Sequence, residues 1–106
     1  MSKASNHYAI TVRFQLRPGT EERFLALVNE NAAASVREEP DCRLFDVLVP
    51  RDGSAEPYVL LYEIYTSRAA LEYHVTTNHY RDFDAASRAF VMHKEVREFT
   101  LFEHRG

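Results

Sequence analysis

Residues 58–65 read YVLLYEIY. Eight residues rich in aromatic and β-branched side chains, bounded by turn residues, form a strand. A strand whose sheet is covered on one side alternates apolar with polar positions. This one is apolar toward both sides and is broken only by Glu63. Helices of a chain of 106 residues can cover one sheet face, so the other needs a partner. The expected arrangement is a homodimer with two sheets packed through their open faces.

The rest of the chain supplies the layers. From His7 to Leu16, Tyr8, Ile10, Val12, Phe14 and Leu16 fall on one side, and Ala9, Thr11, Arg13 and Gln15 on the other. Period two predicts a first strand. Pro18-Gly19 breaks it, and Thr20 is placed as the N-cap of a helix with Glu21 and Glu22 in its first turn. Phe24, Leu27, Val28, Asn31 and Ser35 carry that helix to about Glu39, where Pro40-Asp41 ends it. Cys42 to Val49 predicts a second strand, joined by a loop at 50–54 to the third. Thr66 or Ser67 caps a helix to about Thr77, Asn78 breaks it, and Tyr80 to Met92 resumes it. Glu95 to Glu103 is the last strand. The order β-α-β-β-α-β is the ferredoxin-like split βαβ, an α+β fold with a four-stranded antiparallel sheet and helices on one face. It is one domain over residues 7–104, preceded by a small, polar, flexible N-terminus at 1–6.

Composition narrows the function classes. Thirteen basic against sixteen acidic residues leave a net charge of −3. That is no footprint for nucleic acid or an anionic membrane. The single cysteine, Cys42, excludes an intrachain disulfide and a cysteine-based zinc site. It opens a strand with no evident base beside it, so it is no candidate nucleophile. No apolar run reaches the roughly 20 residues of a membrane span, and no signal-peptide core is present, so a cytoplasmic location is expected. Nucleotide-binding glycine motifs and GxSxG are absent. The chemistry is left to His, Glu, Tyr and Asn side chains and the backbone, acting on a small molecule.

Candidate site residues are the polar ones on apolar stripes, because burying them without a partner costs several kcal/mol. Asn31 and Ser35 continue the stripe of the first helix. Asn31 either bonds a neighbouring carbonyl or meets a substrate; Ser35 either back-bonds to its own helix or lines the site. Ala70, Leu71, His74 and Asn78 form the inward stripe of the second helical region. Glu63 shares a strand face with Val59, Leu61 and Tyr65, and in the helix-covered layer it can reach His74. A carboxylate there would fix the tautomer of the imidazole and raise its basicity, giving a general base with its orienting group. The alternative for Glu63 is an ion pair with Arg13 or Arg43. His79, five residues after His74, lacks the i, i+4 spacing of a helical metal pair, and no metal site is expected. It sits at a pocket rim or a helix start. Tyr62, Tyr65, Tyr73, Tyr80, Phe83 and Phe90 either line an aromatic pocket or are simply core.

The same residues carry a family resemblance. Glu39-Pro40-Asp41-Cys42, Phe45-Asp46-Val47-Leu48, Tyr62-Glu63-Ile64-Tyr65 and the His74…His79 pair resemble the antibiotic biosynthesis monooxygenase (ABM) domains over almost the whole chain. Asp41 stands where those domains commonly carry Gly, which asks only for a residue tolerant of the left-handed conformation. The resemblance implies a dimeric α+β barrel. It also implies a monooxygenase without cofactor, in which a deprotonated quinol or polyphenol itself gives electrons to dioxygen. His74 would be its base, Glu63 its orienting group and Asn31 a ligand of substrate or peroxide oxygen. Ser35, Arg43, Tyr65, His79, Tyr80 and Phe83 would contact the substrate. A second branch, similar at Ser35-Val36, Glu38-Glu39 and Thr76-Thr77, implies acid–base isomerisation of a small phosphorylated dicarbonyl sugar, with Arg43 or another cation on the phosphate. A non-catalytic ligand-binding dimer is the third expectation. The three separate by oxygen consumption, by turnover without it, and by binding alone.

Overall fold

The computed structural model describes residues 7–53 and 56–105. The segment 1–6, expected to be flexible, lies outside the described residues, as does Ser54 of the loop at 50–54.

Strand β1 (His7–Leu16) is the inner strand on which the sheet is built. It pairs antiparallel with β3 (Tyr58–Tyr65) on one side and β4 (Val91–Leu101) on the other, and β2 (Cys42–Leu48) flanks β3. The order is β2-β3-β1-β4, the ferredoxin-like arrangement the sequence predicts. Register fixes which side chains share a layer. Ile10 lies between Glu63 and Glu98, Val12 between Leu61 and Val96, and Phe14 between Val59 and Lys94. A slip of one residue would turn all of them to the other face.

Helix α1 (Glu21–Glu38) buries Phe24, Val28, Asn31, Ala32 and Ser35 against that layer. Phe14, Phe24 and Phe83 meet with ring centroids 5.0–5.9 Å apart and lock the helices to β1. Thr20 stands at the N-cap position, but its hydroxyl donates to the carbonyl of Arg17 instead of capping. The Glu21 carboxylate accepts from the N–H of Gly19. Asp41 needs no left-handed conformation, because among the described residues positive φ occurs only at Gly19 and Gly53.

The second helical region departs from the expected boundaries. Ser67 caps α2 (Arg68–His74), which stops three residues early. The hydroxyls of Thr76 and Thr77 bond the carbonyls of Tyr73 and His74, and this local bonding competes with the helix. Thr77 then accepts from the N–H of Tyr80 and starts α3 (Asn78–Ser87). Asn78 is therefore the first residue of α3 and not the break. A short 3₁₀ turn, Arg88–Phe90, follows. Val91 and Met92, expected in the helix, belong to β4, which starts earlier and ends at Leu101. Arg17 fixes that change: its backbone N–H and its Nε donate to the carbonyls of Phe90 and Ala89.

Both helical regions cover the face of Val59, Leu61, Glu63 and Tyr65, all buried. The open face carries Ala9, Tyr62, Ile64 and Phe99 beside Arg13, Glu95 and Arg97. Phe99 is 49% exposed there. No helix among the described residues is long and apolar enough to cross a membrane.

Candidate active site

The site begins at the end of α1. Proline disfavours helix at the residue before it. Glu39, before Pro40, takes φ −108° and ψ 104° while its N–H still bonds the carbonyl of Ser35. The Phe24-Val28-Asn31-Ser35 stripe, advanced by four, reaches Glu39. Its side chain accordingly turns inward and is 3% exposed.

Two histidines converge on it. His74, the last residue of α2, has Nδ1 2.9 Å from Glu39 Oε2. His79, in the first turn of α3, has Nε2 2.5 Å from the same oxygen. An ionised carboxylate only accepts, so both rings donate to it. For a neutral His74 this places the proton on Nδ1 and leaves Nε2 a base. Burial lowers the pKa of His74, against the raising effect of Glu39. Its ring is enclosed by Phe45, Tyr65 and Tyr80, with centroids 6.0, 5.6 and 5.2 Å away.

His74 lines an apolar cavity of about 110 Å³ between the helices and β1, β3 and β4. Phe83, Tyr80, Asn31 and Glu63 line it too, with Lys94 and Val96. Glu63 is 3% exposed and accepts a 2.6 Å bond from the Tyr65 hydroxyl. Burial pushes its pKa up to about 7, although Tyr65 and Lys94 pull it down. The carboxyl therefore exchanges a proton near neutrality. Burial and the neighbouring Glu63 raise the pKa of Tyr65 well above the ordinary phenol value, so that hydroxyl stays a donor. Asn31 is buried, and its Oδ1 has no hydrogen-bond partner. The ammonium of Lys94 donates to the Tyr80 hydroxyl at 3.5 Å.

The expected residues divide accordingly. His74, Glu63, Asn31, Tyr80 and Phe83 share the cavity. The expected orientation of His74 by Glu63 is replaced: Glu39 holds the imidazole, and Glu63 bonds Tyr65. Ser35 is fully buried with its hydroxyl on the carbonyl of Asn31, the back-bond of a helical serine, and does not line the cavity. Arg43 is exposed and borders a hollow with His7, Leu44 and Ile64, away from the cavity. Tyr65 stands behind Glu63 and is not part of the lining. His79 belongs instead to an outer groove between α1 and α3, with Glu38, Glu39 and Thr77. Burial pushes the Cys42 thiol up to about 12, with Glu39 and Glu63 adding to it, which keeps it unreactive at neutral pH.

Two candidate site residues escape the sequence reasoning. Glu39 was legible in the i, i+4 continuation of the helix stripe. Lys94 was not, because the last strand was expected to start at Glu95. The spacing argument against a histidine pair also fails, since the break between α2 and α3 lets both rings reach one carboxylate. Ligand atoms of Glu39, His74 and His79 lie within 4.8 Å of one another.

The fold recurs in known proteins. Rv0793 of Mycobacterium tuberculosis superposes with a TM-score of 0.82 at 26% identity, covering 94% of this chain and 99% of that one. PA3566 of Pseudomonas aeruginosa gives 0.81 at 23%, covering 92% and 95%. A Bacteroides thetaiotaomicron protein, named as a candidate antibiotic biosynthesis monooxygenase, gives 0.83 at 24%, covering 92% and 90%. No curated protein sequence matches the chain. The model of the antibiotic biosynthesis monooxygenase family matches residues 7–86, which includes all of α1, β2, β3 and the Glu39, His74 and His79 cluster. The chain belongs to the antibiotic biosynthesis monooxygenase family.

Proposed function

We propose that this protein is a cofactor-independent monooxygenase that oxidises a small quinol or polyphenol with dioxygen. One observation carries the reading: Glu39 fixes Nδ1 of a buried His74 and leaves Nε2 as the base beside an apolar cavity. Nε2 takes the phenolic proton, and the phenolate is the electron donor. One oxygen atom enters the ring, and the other leaves as water with the two hydrogens the substrate gives up. A largely apolar lining with Phe14, Phe45, Tyr80 and Phe83 suits the step because it stabilises the phenolate less than water does. Asn31 Oδ1, an acceptor without a partner, is placed to receive a substrate hydroxyl. Family membership supports the oxygenase class.

The test is oxygen uptake by the purified protein with reduced phenols, beside His74→Ala. Uptake that depends on the protein and is lost in the variant is expected. Uptake that the variant retains would remove His74 from the mechanism.

A second reading rests on Glu63. A carboxyl with a pKa near 7 and an imidazole on one cavity form an acid–base pair suited to isomerisation of a phosphorylated dicarbonyl sugar. Arg43 is too remote to hold its phosphate, and Lys94 takes that place. Turnover of such a sugar without oxygen consumption would favour this reading over the first.

A homodimer paired through the open sheet face completes the proposal. Tyr62 and Phe99 supply its apolar centre.

A further inference from the structure

We infer that Glu39, His74 and His79 form a binding site for a divalent first-row transition-metal ion of the Zn²⁺ or Co²⁺ class. Two imidazole nitrogens and a carboxylate, from three separate positions along the chain, have ligand atoms within 4.8 Å of one another. Both nitrogens are turned toward a single oxygen, at 2.9 and 2.5 Å. The three donors thus already face one small space, in which an ion would take the place of the two hydrogen bonds.

A second observation points the same way. Glu39 Oε1 is buried and has no hydrogen-bond partner. Leaving a charged oxygen unpaired in the interior is costly, and such orphans call for an explanation. A cation bound to the carboxylate removes the cost. It also replaces the two ring protons that now hold the cluster together.

The donor set defines the class. Two imidazoles and one carboxylate suit Zn²⁺, Co²⁺, Fe²⁺ and Ni²⁺, whereas Mg²⁺ and Ca²⁺ prefer oxygen shells. With metal–ligand bonds of about 2.1 Å, neighbouring ligand atoms of a tetrahedral site stand about 3.4 Å apart. Each nitrogen would therefore move roughly 1 Å or less away from the carboxylate oxygen, and the ligand atoms, now within 4.8 Å of one another, would close to that spacing. His79 can supply the movement. Its side chain is 14% exposed, and it lines the outer groove through which an ion would enter. Glu38 Oε1 lies 4.0 Å from His79 Nδ1 and adds negative charge at that entrance.

Three protein ligands leave at least one coordination position open, the arrangement of reactive rather than purely structural sites. Occupancy also changes His74. An ion on Nδ1 forces the ring proton to Nε2, so the imidazole donates to the cavity and no longer acts as a base there.

Calorimetric titration of the metal-stripped full chain with Zn²⁺, and visible spectroscopy with Co²⁺, test the site. One ion per chain is expected, with the strong visible absorption of low-coordinate Co²⁺. Mg²⁺ should not compete. His79→Ala, which removes a partly exposed ligand from the start of a helix, should weaken binding at least 100-fold. Glu39→Gln should do the same, and His93→Asn, a surface control, should not. Absence of one-to-one binding, or binding that survives His79→Ala, overturns the inference. These readouts need no turnover, so they stand apart from the oxygen-uptake result.

Discussion

Nδ1 of His74 lies 2.9 Å from Oε2 of Glu39, a pair of buried groups 35 residues apart in the chain. The contact joins the end of one helix to the end of another and favours the Nδ1–H tautomer of His74. The proton on Nδ1 is held by an anion, and Nε2 is left to the cavity. Glu39 rather than Glu63 is thus the group that orients the candidate base.

Glu39→Gln tests that role. Gln can still accept from Nδ1, so the tautomer survives, but the negative charge that stabilises a protonated His74 is gone. A hydrogen bond to a charged group is worth about 1.5–3 kcal/mol, or roughly 10–100-fold. Steady-state kinetics with a reduced phenol should show kcat falling by that factor and KM nearly unchanged. A change confined to KM would mean that Glu39 binds substrate instead.

Glu63 gives a prediction on stability. Its carboxyl ionises near 7 in the fold against 4.5 ordinarily, so the folded state holds a proton that the unfolded state has released. Stability contributed by this group is full below pH 4.5, declines as pH rises toward 7 and is flat above. At about 1.4 kcal/mol per pH unit the loss comes to about 3–4 kcal/mol. Glu63→Gln mimics the protonated form and still accepts from Tyr65. Urea unfolding at pH 5 and pH 8 should show the variant gaining on the parent protein at the higher pH. A gain equal at both values would place the ionisation elsewhere.

The sequence disclosed the sheet and the cavity wall more readily than the catalytic pairing. Strand alternation from Tyr8 to Leu16 reports a local property, so the buried face follows directly, whereas the register depends on the partner strands. The face of Glu63 was legible for the same reason, through Val59, Leu61 and Tyr65. Ser35 resolved to the simpler of its two readings, a back-bond within its own helix. The end of α2 was not legible, because it depends on hydroxyls of Thr76 and Thr77 that compete with the backbone. That three-residue difference re-aims His79 and brings it to Glu39. Arg43 shows a different limit: sequence places it on β2 but cannot say that its side chain lies away from the cavity.

Lys94 should act on substrate charge. Its ammonium borders the cavity beside the Tyr80 hydroxyl, and it is the only cationic side chain in that lining among the described residues. Lys94→Met should raise KM for an anionic substrate roughly 10-fold, as expected for loss of one charge-assisted contact. The KM of the parent protein should rise with salt and that of the variant should not. Equal salt dependence in both would show that Lys94 does not meet the substrate.

The cavity also sets substrate size. A volume of about 110 Å³ is on the scale of an apolar cavity that takes one benzene ring. Hydroquinones with one ring should therefore turn over with a higher kcat/KM than dihydroxynaphthalenes. Phe83→Ala would enlarge the wall and narrow the difference, at a stability cost of about 3–5 kcal/mol that thermal unfolding would register. Preference for the larger ring in the parent protein would mean that the substrate lies in the outer groove and not in this cavity.

The open sheet face is tested by its exposed aromatic. Phe99 pairs with Ala9 in the ladder and leaves 49% of its surface uncovered in the single chain. A second sheet packed there would bury it, and burying the remaining half of such a side chain is worth about 1 kcal/mol per protomer. Phe99→Glu places a charge in that contact without opening a cavity in the core of one chain, so the monomer fold should persist. Sedimentation equilibrium should give the parent protein about twice the 12.3 kDa of one chain, and the variant about the mass of one. A parent protein that sediments as a monomer would remove the dimer. A variant that stays dimeric would move the interface to another face, and the half-buried Tyr62 would then need a different cover.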